Sequence, residues 1–212
     1  MNLNDIRDIS ILIGIWVAIY GIDSWRREFR GKRQMEIAEE ALALFYEASD
    51  AISHIRNPLG FSTEFESVER AEGESDGQYD ARKRASVALY RYNQHNELFN
   101  HLFSLRYRFM AAFGKKKAEP FDQMQNIVNR IILAARALGR LWGKDYFRDD
   151  KALEEYNRLV EKHESVFWFQ GDEDRIHAEV LAIVETMDKT CREIILGKGT
   201  LHYFLNWKRK NG

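Results

Sequence analysis

The chain has one cysteine, Cys191, and two prolines, Pro58 and Pro120, among 212 residues. A single cysteine excludes an intrachain disulfide framework and is in keeping with a reducing compartment. Proline breaks helices, so its scarcity predicts long uninterrupted ones. Neither sign of charge is in excess: 32 basic against 33 acidic residues give a net charge of −1. That balance supplies no global attraction to nucleic acid. The phosphate-cradling patterns GxGxxG and GxxxxGK[ST] are missing, as are GxSxG and HExxH. These gaps remove particular motif families, not catalysis in general.

What is present is an ordinary globular balance, 45% hydrophobic and 31% charged, enough for one domain with a substantial core. The stretch DISILIGIWVAIYGIDSWRREFRGKR, residues 8–33, stands apart. Its fourteen residues Ile9–Ile22 carry no charge and run into Arg26, Arg27, Arg30, Lys32 and Arg33. A cleaved signal is not expected, because the start carries Asp5 and Asp8 and no A-x-A-like site follows. A helix that is apolar all round belongs in a core or in lipid. A span needs about 20 residues, but Leu3, Ile6 and Trp25 extend the apolar surface, and Arg7 and Arg26 can snorkel. The basic cluster on one side favours a membrane anchor with the amino terminus out and the remainder cytoplasmic. Residues 1–25 are therefore read as the anchor and 26–212 as the cytoplasmic domain. The five basic residues then meet anionic headgroups. Ser10, Gly14 and Ala18, spaced by four, make a small-residue helix face suited to homo-oligomer contact in lipid.

From Gln34 the pattern becomes amphipathic. Ala38, Ala41, Leu42, Phe45, Ala48, Ile52 and Ile55 form one stripe and stop before Pro58. Residues 59–79, acidic and glycine-rich, read as a mobile solvated loop. A helix over 80–113 follows, closed by Gly114 and three lysines. Another begins at Pro120 and ends near Gly143. Asp149 or Asp150 caps a fourth helix, with Leu153, Tyr156, Val160 and Phe167 inward, and Asp172 caps a fifth. The tail TLHYFLNWKRK reads as a sixth, its last residues Trp207–Lys210 suited to headgroups. The predicted fold class is all-α: an N-terminal membrane-anchor helix followed by an antiparallel four- or five-helix bundle.

Few side chains point to chemistry. A di-iron site needs inward Glu-x-x-His pairs on two helices; only Asp174-x-x-His177 approaches that spacing, so no metal and no cofactor is expected. His95 and His163 each fall on an apolar stripe, between Tyr92 and Phe99 and between Val160 and Phe167. If both face one core they form a ligand or catalytic site; the plainer reading is two stripe-edge histidines, each with one hydrogen bond. The pairs Asp50–His54, Glu97–His101 and Glu173–His177 read as local helix support, and Cys191 as a small buried hydrophobe. Arg82, Lys83, Arg84, Arg91, Arg106 and Arg108 interleave with tyrosines as nucleic-acid surfaces do, but they lie on several faces.

The segment GKRQMEIAEEALALFYEASDAISHIRNP, residues 31–58, with the anchor before it, resembles a group of uncharacterised bacterial inner-membrane proteins. These are similar in their short N-terminal anchor, charged junction and helix of the AEE-LALFYEA-DAI--IR-P kind. The resemblance implies a bacterial inner membrane and transfers no catalytic residue. The expected function is a membrane-tethered helical interaction or regulatory module without catalysis, with lipid and an unknown protein as partners. The alternatives are an enzyme with its site near His95 and His163, and a soluble helical nucleic-acid binder.

Overall fold

The computed structural model describes residues 3–60, 64, 68–144 and 146–196, with side chains from Trp16 onward except Ile19. Every regular element among them is helical: α1 Leu3–Ile55, α2 Asp76–Gln94, α3 Asn96–Phe113, α4 Glu119–Leu141, α5 Asp150–Phe167 and α6 Arg175–Ile195, with short 3-10 turns at Lys116–Ala118 and Gly171–Glu173. The chain divides into two compact units, Met1–Glu40 with Arg192–Gly212, and Ala41–Cys191. The sixth helix expected in the tail, with Trp207–Lys210, lies outside the described residues.

The helix α1 has 53 residues and passes through Gly31 without a break; its residues up to Glu40 belong to the first unit. Trp16, Val17, Tyr20, Ile22, Trp25 and Phe29 are each more than half exposed. Trp16 stacks on Tyr20 and Trp25 tilts against Phe29, one turn apart in each case. Arg26, Arg27, Arg30, Lys32 and Arg33 are exposed, as is Ala18. The side chains of Ser10 and Gly14 lie outside the described set. Among the described residues no helix is long and apolar enough to cross a membrane.

The second unit is a bundle built on the stripes that the period of 3.6 residues predicts. Ala41, Phe45, Ala48, Ile52 and Ile55 of α1 are buried, as are Phe121, Met124, Val128, Ile131, Ala135 and Leu138 of α4. Phe45 meets the edge of Phe121 at 4.9 Å, and Phe109 of α3 tilts against the same ring. Each such ring contributes about 1 kcal/mol beyond its area burial. α4 is central: it packs on α2, α3 and α5. Small residues bring α2 and α4 close. A Cβ on Gly139 would lie 3.2 Å from that of Ala85, and one on Gly143 would reach 2.8 Å from the Gln78 backbone.

Three expectations change. The helix over 80–113 is two helices, α2 and α3, joined at His95, whose backbone (φ −102°, ψ 12°) leaves the helical range. Leu153 of α5 is not inward but exposed, and Phe167 is the one buried residue of that helix. α5 thus covers α4 with half-buried side chains rather than entering the core. The cap of α6 is Asp174 rather than Asp172: its Oδ1 accepts the His177 N–H at 2.7 Å. Asp149 caps α5 through the Ala152 N–H, as expected.

Candidate functional site

Polar side chains gather where α1 ends. Two arginines, Arg56 and Arg91, are buried there, 2% and 1% exposed, and each has a carboxylate partner. A buried charge is tolerated when paired and hydrogen-bonded; both arginines are paired, and every guanidinium nitrogen of each makes at least one hydrogen bond. Arg91 on α2 donates to Glu64 at 2.6 and 3.0 Å, to the His54 carbonyl at 3.1 Å, to the Asn57 carbonyl at 2.6 Å, and to the Leu59 carbonyl. It thereby gathers carbonyls at and just past the end of α1, those of Asn57 and Leu59 lying beyond its last residue. Arg56 does the same for α5. It donates to the carbonyls of Ser165, Val166 and Trp168 and makes a two-pronged pair with Asp174 at 2.7 and 2.8 Å. Burial pushes the Asp174 carboxyl up, but the Arg56 guanidinium and the N–H groups of His177 and Gln170 outweigh it and hold the group below its ordinary range.

Between these clamps, His54 Nδ1 lies 3.0 Å from His95 Nε2, the rings set edge to face. One ring donates and the other accepts, so the bond needs at least one neutral imidazole. Burial, then the neighbouring His54, draws His95 below the ordinary histidine value. His163 is also lowered, by burial and by Lys162. Among the described residues no hydrogen bond joins His95 to His163; the partner of His95 is His54, a residue that the sequence pairs more obviously with Asp50. The apolar seam lined by Ile55, Tyr92, Val128 and Ile131 leaves no space for a water molecule. No group of three or more His, Cys, Asp or Glu among the described residues is placed to hold a metal ion. Chemically, the two imidazoles can pass a proton between them and to solvent.

Two described carboxylates of the acidic stretch, expected to be solvated, are paired instead. Glu64 is buried on Arg91, and Glu74 takes a two-pronged contact from Arg82 at 2.7 and 2.8 Å. That contact and the Ala71 N–H hold the Glu74 carboxyl down at about 2. The basic residues of α2 and α3 are largely committed as well: Arg84 lies 4.5 Å over Trp142, and Arg106 pairs with Asp122. Cys191 is buried, and burial followed by Asp188 pushes its thiol up to about 12, which disfavours the thiolate.

Compared with known proteins, the chain matches no family model, no curated protein and no solved structure.

The histidine pair carries a sign-definite prediction. An imidazole depressed by folding binds its proton more readily in the unfolded chain. Its contribution to stability is complete above the unfolded value of 6.5 and is lost as pH falls through the folded value. The thermal midpoint should therefore drop between pH 7.5 and 5.5. His95→Asn should flatten that slope, an effect kept small by the exposure of His54. Equal slopes in the two proteins would remove the pair from the acid response.

Proposed function

We propose that the protein is a membrane-tethered helical interaction or regulatory module of the bacterial inner membrane. Its amino terminus faces out and the bundle faces the cytoplasm. The reading rests on one observation: large apolar side chains from Trp16 to Phe29 stand bare on α1 and give way to an exposed basic cluster. Bare apolar surface costs roughly 25 cal/mol per Å² in water, so a run of six such residues favours an apolar surrounding. Trp16, Tyr20 and Trp25 are of the types that settle at the lipid–water boundary. Arg26, Arg27, Arg30, Lys32 and Arg33 each add about 1 kcal/mol near anionic lipid.

Length is the strain in this reading. Fourteen helical residues rise about 21 Å against a hydrocarbon core of about 30 Å, so the flanking residues and local thinning of the bilayer must supply the difference. The small-residue face of Ser10, Gly14 and Ala18 then offers a homo-oligomeric contact within the membrane.

Fractionation with alkaline extraction and protease protection tests the proposal. The full chain should stay in the membrane pellet, with only its amino-terminal end protected from protease on the cytoplasmic side. The double change Val17→Asp with Ile22→Asp should release it, since each aspartate adds up to about 3 kcal/mol to insertion. A wild-type chain found wholly in the soluble fraction would end the proposal.

A further inference from the structure

We infer that the groove between α2 and α4 binds a small anionic amphiphile, a short apolar body carrying a phosphate-type head. The groove lies wholly within Ala41–Cys191 and does not depend on the tether. Its volume is about 220 Å³, and its exposed lining is almost entirely apolar. The floor is made by Ala85 and Gly139, whose close approach leaves the two helices in contact below and open above. Leu89 extends the floor along α2. Such a surface takes hydrocarbon, not a bare ion.

The rim carries the charge. Arg82 stands on the α2 side, and Arg136 and Arg140 on the α4 side. Arg82 is held in place by Glu74 and by the Glu69 carbonyl. Arg136 and Arg140 are exposed and carry no carboxylate partner among the described residues. They are one helical turn apart, so two like charges face each other without compensation, an arrangement that costs the helix free energy. An anion set between them removes that repulsion. Guanidinium groups suit the purpose, because their planar donors meet phosphate oxygens in pairs. The one hydroxyl in the groove, that of Ser86, already donates to the Lys83 carbonyl, which leaves the arginines to select the head.

The test uses the full chain in neutral-detergent micelles, titrated calorimetrically with hexyl phosphate, inorganic phosphate and hexanol. Hexyl phosphate should bind saturably, at least about tenfold more tightly than either of the others. The double variant Arg136→Gln, Arg140→Gln, at two exposed positions, should weaken it by about tenfold or more, whereas Arg158→Gln on α5 should not. Inorganic phosphate binding as tightly as hexyl phosphate would remove the apolar floor from the account. Hexanol binding as tightly would remove the arginines. Non-saturable uptake, or an unchanged affinity in the double variant, would overturn the inference.

Discussion

Arg91→Ala should lower the stability of the bundle by about 3–5 kcal/mol, the cost typical of stripping one partner from a buried ion pair. The arginine makes five hydrogen bonds, two to Glu64 and three to the carbonyls of His54, Asn57 and Leu59. Its removal takes the guanidinium fork away from the Glu64 carboxylate, which is 6% exposed. It also strips the arginine donors from the Asn57 and Leu59 carbonyls just past α1. In a domain of this size 1 kcal/mol moves the thermal midpoint by about 2–4 °C, so a drop of about 6–20 °C is expected. Arg91→Lys should recover little of the loss, because an ammonium cannot reproduce a fork that reaches a carboxylate and three carbonyls together. Calorimetry of the two variants decides it: a lysine protein as stable as wild type would show that charge alone, not the fork, holds the loop to α2.

That clamp marks where sequence reasoning stops. The stripe of α1 was legible because burial of a helix face repeats every three or four residues, and all of its assigned residues but Leu42 are buried. Gly114, Pro120 and Asp149 also marked helix ends correctly, since each acts through its own backbone or a neighbour two or three residues away. The joint at His95 has no such local sign. Its nearest neighbours include no glycine or proline, and the deviation coincides with a bond to His54, 41 residues earlier. Long-range polar pairing of this kind has no sequence period.

Arg91 and Arg56 did leave a trace. Arg91 follows Ala88 by three residues, on the stripe of Ala81, Ala85 and Ala88, and Arg56 follows Ile52 by four. A charge on a core stripe demands a buried partner. The surplus of acids in residues 59–79 was the place to look for one of them. Composition alone made that stretch look solvated, because a carboxylate in a glycine-rich segment reads the same whether it meets water or an arginine. The histidines show the same limit: period placed His95 at a stripe edge, but only the fold could choose His54 over His163 as its neighbour.

Asp174→Asn should cost nearly as much as the loss of Arg91, about 3–5 kcal/mol, although it changes only one atom type. The amide still accepts from the His177 N–H and so keeps the cap of α6, which alone is worth about 1 kcal/mol. What it loses is the charge that balances Arg56, a guanidinium 2% exposed, and the Oδ2 acceptor of Arg56 Nη2 and the Gln170 N–H, which would then face an NH2 donor. Asp174→Ala, which forfeits the cap as well, should therefore be the worse of the two by about the capping contribution. The same carboxylate predicts an acid limb. Its folded value lies below the unfolded one of 3.8, so its contribution is complete above that value and is lost as pH falls through the folded value. Wild-type stability should fall on acidification through this range, and Asp174→Asn should show a shallower fall from a lower start. Arg56 ties the end of α1 to the carbonyls that close α5 and to the cap that opens α6, so one guanidinium joins three helices at a point. Loss of its partner should therefore lower hydrogen-exchange protection in all three together. If protection instead fell in α6 alone, Asp174 would be acting as a cap and the ion pair would contribute nothing to cooperativity.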